Sequence, residues 1–447
     1  MEALNNHDHI TNGGEESPLL GPRATGEVNP GAKPQRSVAR IAATMFCFAV
    51  LGLFTSTTGV LLPHLEHEYE LSDSQASLIF LAVPVPYLLA AQMNSWVHSK
   101  LGRRGIAILG PLAHAAASVG ASQRPPFIVF LLCFAAVAFG NGLVDASWAS
   151  WAAAQDSPNF TSGLLHGAFS VGAAAGPAIA GLVISNEKGA WHVWYYYLTG
   201  AAIAELVVLT WAFRSDDAKK YHELDPSQPE VAKLEGRGIS EVLKHRAVWL
   251  CAAYLLMYVG TESAISGWII LFMTRARQVR PAIANLCSTG FWAGMAVGRL
   301  ILGPVTERVG IRRAVTVYLV VAMLTGVLFA LVKNIAVSIF LLATIGAFCG
   351  PLFPSSIVFL ASAVPSNIHV AAVSFVSSVG QVGGAGLPAL FGIISEAVGI
   401  LAFQTVIMAQ LATTLVLWLV FTHQKTSGRA SDPASGVAAG LFASPHA

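Results

Sequence analysis

Twelve apolar runs, each long enough to cross about 30 Å of hydrocarbon as a helix, recur along the chain. They begin near Ile41, Ser77, Gly105, Pro126, Gly163, Val193, Ala247, Ala284, Ala314, Ala336, Val370 and Ala402. In hydrocarbon every backbone N–H and C=O must be satisfied by protein, which leaves helices or a closed barrel, and runs of this length are helical. The expected fold class is therefore an all-α polytopic membrane protein with twelve transmembrane helices. Composition agrees: 54% of residues are hydrophobic and 11% charged, too apolar for a soluble chain of 447 residues. The net charge of +2 provides no strong field, so nucleic acid is not an expected partner. The lipid bilayer is.

Charge placement orients the spans. Residues 1–37 are polar and too poor in apolar surface to order themselves, which reads as a cytosolic tail. No cleavable signal precedes the first run, so the first helix is expected to act as the signal. With both termini inside, nineteen Lys and Arg lie in inner regions, six in outer loops, and Arg299 within a helix. The outer exceptions include Arg275, Arg277 and Arg280 after the seventh span. The first outer loop opposes them with Glu66, Glu68, Glu70 and Asp73. Solvated loop charge is the expected reading, and an outer gate the sharper alternative. The sequon at Asn159 falls inside and is expected to be unused. Glu15 to Leu20 carries the acidic dileucine spacing that sorting adaptors read, a weak signal. Plasma membrane is the expected location, with a vacuolar or endosomal membrane as the alternative. The five cysteines show no paired or metal-ligand spacing and read as small core residues. No metal or cofactor is expected.

The chain repeats itself at an offset of 208 residues, as from Gly59 to Gly267. Gly142 falls on Gly350, Ser170 to Gly172 on Ser378 to Gly380, and Gly102 and Arg104 on Gly310 and Arg312. Two related six-helix halves follow, 38–213 and 247–422, joined by a central cytosolic loop, 214–246, and followed by a tail, 423–447. Such repeats flank a central site near the bilayer midplane and alternate its access by rocking. A monomer is expected.

Over residues 38 to 422 this pattern resembles the major facilitator superfamily, whose inner-loop signature is Gly-x-x-x-Asp-Arg-x-Gly followed by basic residues. After the eighth span stand Gly303, Glu307, Arg308 and Gly310, then Arg312 and Arg313. After the second stand Ser95, Ser99, Lys100 and Gly102, then Arg103 and Arg104, so the glycine and the carboxylate are replaced. The resemblance implies a cytosolic gate at these residues. In the fifth span Gly163, Gly172, Gly176, Pro177 and Gly181 resemble the antiporter signature, with small residues permitting close helix contact. Gly140, Gly142 and Asp145, then Leu165-His166, then Tyr258, Gly260 and Glu262 resemble the fucose–proton symporter branch and its fungal relatives. There the acid matching Asp145 is a protonation site. The asparagine usual four residues later is Ala149 here.

The residues themselves single out Asp145. A carboxylate at mid-span costs about 2.5–3.5 kcal/mol on insertion scales and by default marks a pathway. Asn141 and Trp148 share its helix face. In the seventh span Tyr254, Tyr258, Glu262 and Ser266 form a polar stripe at i+4 spacing, expected to bind solute together with Gln381. Trp151, Trp268, Phe291 and Trp292 are candidate cavity walls, suited to an amphipathic organic molecule. Thr55, Ser56, Thr57 and Thr58 read as structural hydroxyls that bond the preceding turn. Glu205 is left unassigned, and Arg299 either pairs with an acid or reaches toward the interface.

No P-loop, His-Glu-x-x-His motif or intramembrane aspartate pair is present, so an enzyme is not expected. The expected function is proton-coupled secondary transport of a small organic solute, export somewhat favoured over uptake of a sugar-like solute. A non-transporting membrane sensor is the alternative from another class.

Overall fold

The computed structural model describes residues 34–153, 155, 158–220, 241–365 and 368–423. The dileucine segment, most of the central loop and both tails lie outside the described residues.

Among the described residues eleven helices are long and apolar enough to cross a membrane. The second of them, Asp73–Ser122, is 50 residues long, too long for one crossing. Within its helix Pro84–Ser122, Gly102 is non-helical, with φ 69° and ψ −170°. Neighbour contacts show what happens there. The Tyr87 carbonyl lies against Gly142 and the His114 imidazole against Gly140, two positions within one turn of the following helix, Phe127–Ala153. In a straight helix Tyr87 and His114 would be about 40 Å apart. The chain therefore doubles back at Gly102, and the spans number twelve. A side chain at Gly102 would run into the backbone of Asp216 and Asp217, so close approach as well as positive φ calls for glycine. Its repeat partner Gly310 has φ 91° and ends the eighth span, so the 208-residue register recurs in backbone conformation.

The first span runs as Pro34–Ser56 and Thr58–Tyr69, bent where the Thr55 and Thr57 hydroxyls donate to Leu51 and Leu53 carbonyls, each at 2.9 Å. Ser72 and Gln75 then make a reciprocal capping box that starts the second span. The fourth to ninth spans are Phe127–Ala153, Pro158–Asn186, Val193–Ala212, Arg246–Arg275, Pro281–Val309 and Ile311–Leu331. The tenth is Ile335–Cys349 with Leu352–Ala363, and His369–Val398 and Ala402–His423 complete the bundle.

Packing follows the repeat. The first span packs on the fifth and the seventh on the eleventh; the second and third pack on the fourth, as the eighth does on the tenth. Small residues set these distances: Gly52 meets the Phe169–Ala173 backbone, and its counterpart Gly260 meets the Gly383 carbonyl. The halves touch where the fifth span meets the eighth, where Thr58–Tyr69 meets the seventh, and where Asp73–Leu81 meets the eleventh. The last two lie at the predicted outer end. At the end carrying the central loop no contact of similar extent joins the halves among the described residues, so the halves are held together at the predicted outer end.

Candidate functional site

The fourth span reaches the middle of the bundle because Gly142 lets the second span come into backbone contact. Two hydrogen bonds fasten the pair: Asn94 Nδ2 donates to the Leu143 carbonyl at 2.9 Å, and the Ser147 hydroxyl meets His98 Nε2 at 3.0 Å. Between them Asp145 is half-buried, and the Tyr87 hydroxyl donates to its Oδ2. On the fifth span His166 stands edge-on to Phe48, ring centroids 5.6 Å apart, and its imidazole senses both Asp145 and Arg299. His166 is nonetheless exposed, so it lines an open cavity rather than a sealed core. Arg299, on the eighth span, donates from Nη1 to the Ser170 hydroxyl at 2.6 Å and from Nε to the Gly350 carbonyl at 3.4 Å. Its charge also acts on Glu262 of the seventh span. Tyr258 lies beside that carboxylate and donates to the Cys349 carbonyl at 2.9 Å. The Arg299–Ser170 hydrogen bond thus joins the halves, with Asp145 and His166 on one side of it and Glu262 on the other. Arg299 turns inward to these groups and does not reach for the interface.

Other expected site residues sit differently. Trp148 is fully buried and stacks on Phe213 with centroids 4.4 Å apart, so it packs the fourth span on the sixth instead of lining the cavity. Ser266 accepts from Trp292 Nε1 at 2.9 Å, and Trp268 Nε1 donates to the Pro388 carbonyl at 3.0 Å. These groups, with Phe291, are helix-packing residues in this conformation. Trp151 packs edge-on against Phe213 in the same way. Asn141 has a buried Oδ1 without a hydrogen-bond partner, and Gln381 is half-buried, with no hydrogen bond among the described residues.

The comparisons with known proteins agree with this architecture. The family model of the Major Facilitator Superfamily matches residues 44–277 and 251–443. The chain belongs to the major facilitator superfamily. It is similar to "Bypass of stop codon protein 6" of Saccharomyces cerevisiae, 26% identical over 410 residues, covering 86% of this chain and 82% of that one. Its fold matches FucP in the outward conformation with TM-score 0.59 and 16% identity, over 86% of this chain and 99% of that one. It matches an inward-facing bacterial homologue of the human lysosomal transporter Spinster with TM-score 0.64 and 16% identity, over 88% of this chain and 96% of that one. As a major facilitator protein it is an all-α secondary transporter, and its homologues and fold are of the transporter type.

Of the fifth-span glycines, Gly172 packs on the Ala49 backbone, Gly176 against Ser56 and Leu53, and Gly181 against Asn285. Gly163 has open space around it, so no contact requires a glycine there. Pro177 lies within the helix between these contacts. The inner-loop residues are spread out. Lys100, Arg104, Glu307, Arg308, Arg312 and Arg313 are exposed, and Gly303 has no neighbour that a side chain would strike. Glu307 and Arg308 form no ion pair with each other or across the halves among the described residues. The carboxylate missing from the first copy is supplied from elsewhere in the chain. Asp216, just after the sixth span and 4% exposed, accepts from Arg40 at 2.8 Å and Lys220 at 2.9 Å, and lies 3.9 Å from Arg103. Its backbone carbonyl takes the Arg104 N–H at 2.9 Å.

At the predicted outer end the opposed loop charges meet across the halves. Arg275 bridges Glu66 and Asp73 across the halves, so these are not merely solvated charges. Ser395 donates to Asp73 Oδ2 at 2.5 Å, and Glu396 accepts the Ser74 N–H at 3.0 Å. Arg277 instead stacks 4.2 Å above Phe329 and donates to Ser338, holding the loop within its own half. Glu205 is also paired: it accepts from His114 Nδ1 at 3.0 Å and from Cys47 at 2.9 Å, with both members of the acid–imidazole pair fully buried.

Proposed function

We propose that the protein is a proton-coupled transporter that exports a small, amphipathic organic metabolite by alternating access. Asp145 binds the coupling proton, and Glu262, oriented by Tyr258, contacts the solute. The carrying observation is the Arg299–Ser170 hydrogen bond across the halves, which sets a guanidinium between Asp145 and His166 on one half and Glu262 on the other. A carboxylate that is half-buried, given one hydroxyl donor and faced by an exposed imidazole, can exchange a proton with the open cavity. Its counterpart Glu262 feels the Arg299 charge but makes no ion pair with it among the described residues, so it is available to a ligand. Neutralising either acid changes the attraction across the halves, so occupancy and conformation become linked. The resemblance of the fifth-span glycines to the antiporter signature is what favours export, and three of them, Gly172, Gly176 and Gly181, make close helix contacts. A second reading, uptake of a sugar-like solute, is favoured by the fold shared with a protein described as the fucose:proton symporter of E. coli.

Purified protein in proteoliposomes, given an imposed pH gradient and a panel of labelled metabolites and sugars, tests this. The wild type concentrates one class of solute. Asp145→Asn abolishes accumulation while preserving downhill exchange, and Glu262→Gln weakens binding of the same solute. Continued uphill transport by Asp145→Asn would remove the coupling role from that residue. Saturable ligand binding without any flux would favour a sensor.

A further inference from the structure

The inner-loop cations of the first half have a use that the gate does not absorb. Lys100 and Arg104 flank the turn at Gly102, and Lys219 follows Asp216 at the start of the central loop. All three line one groove of about 400 Å³ on the face of the first half. All three are exposed, and none is paired with a carboxylate among the described residues. Among those residues Asp217 is the only acid lining the groove, and its Oδ1 accepts the Lys220 N–H at 3.0 Å. The groove therefore carries an excess of two positive charges.

Its other walls are Leu101, Ile108 and Leu109. Ile108 lies one turn, about 6 Å, deeper in the third span than Arg104. Leu112, a further turn along, is 49% exposed. Exposed Trp96 and Trp211, the latter capped by Arg214, mark the same interfacial level. Cations thus sit at headgroup height, above an exposed apolar track that runs toward the middle of the bilayer. We propose that this groove binds the headgroup of an anionic glycerophospholipid of the inner leaflet, its acyl chain lying along Leu101, Ile108 and Leu112. The charge excess selects an anionic over a zwitterionic headgroup. A bound phosphate would tie the Gly102 turn to the segment that carries Asp216, adding a lipid to the contacts that join them.

Native mass spectrometry of the full-length protein, released from detergent with equimolar palmitoyl-oleoyl phosphatidylserine and phosphatidylcholine, tests the site. Phosphatidylserine adducts should exceed phosphatidylcholine adducts about tenfold on the wild type. Lys100→Ala, Arg104→Ala and Lys219→Ala combined should bring the ratio close to one, while Arg312→Ala with Arg313→Ala leaves it unchanged. Since Lys219 is exposed, Lys219→Ala alone serves should the triple variant misfold, and roughly a fivefold loss is expected for a single cation. An unchanged ratio in these variants overturns the proposal. So does full displacement of the lipid by millimolar inorganic phosphate, which would make the groove an anion site without lipid selectivity.

Discussion

Asp145, Glu262 and Arg299 stand out in the sequence because a charge in an apolar run is costly and needs a reason to remain. Their partners do not stand out. Tyr87 is one of nine tyrosines, and nothing local marks it until the chain doubles back at Gly102 and sets it beside Asp145. Asp216 reads as one more linker charge, and only its burial reveals four contacts on one carboxylate and its carbonyl. Trp148 shares a helix face with Asp145, yet helical spacing cannot tell which part of that face meets Phe213. The Arg299–Glu262 relation gives a test that needs no solute. Arg299→Gln and Glu262→Gln should each lower the thermal midpoint in detergent, because each leaves a partly buried charge without the opposite charge that acts on it. The double variant should lose less than the sum of the two, with a coupling of roughly 0.5–3 kcal/mol. Strict additivity would mean that the two side chains do not interact.

At the scale of the helices, the start of almost every span is legible from hydropathy, since in a bilayer the length of an apolar run decides whether a segment can cross. The second and third spans are legible too, since the run read from near Gly105 begins just after the break at Gly102, but no hydropathy window records the positive φ that makes the break. The fifth-span glycines divide in a way their spacing cannot show. Any side chain at Gly172 meets the Ala49 backbone, which has no rotamer with which to yield, whereas Gly163 faces open space. Gly172→Leu should therefore abolish the monodisperse peak in fluorescence-detected size-exclusion chromatography, and Gly163→Leu should leave its height within about twofold. Equal loss in both would place the importance of the glycines in backbone flexibility instead of close packing.

For the whole molecule, the two-half organisation is legible because one 208-residue register runs through both halves. The conformation is not, because closure at one end depends on ion pairs between residues some 200 positions apart, such as Arg275 with Glu66 and Asp73. Orientation follows from the basic-residue asymmetry. In a cysteine-free background, Ser72→Cys should react with an impermeant thiol reagent from outside. Ser427→Cys, beyond the described residues, should not; the reverse pattern would invert the assignment. The two ends should respond oppositely to loss of charge. Arg275→Gln should increase outer labelling of a cysteine placed at His166, and Glu307→Gln should increase its inner labelling. Unchanged labelling in Glu307→Gln would leave that residue a solvated charge in every conformation.

The six residues from Ser72 to Ser77 hold two partners at once. Asp73 receives both Arg275 of the seventh span and Ser395 of the eleventh, while Ser74 gives its N–H to Glu396 of the eleventh. Seventh and eleventh spans cannot withdraw one after the other without leaving Asp73 half-served and still held. Outward opening should consequently be a single activated event: a stopped-flow trace of outer accessibility would rise as one exponential, with no resolvable half-open species.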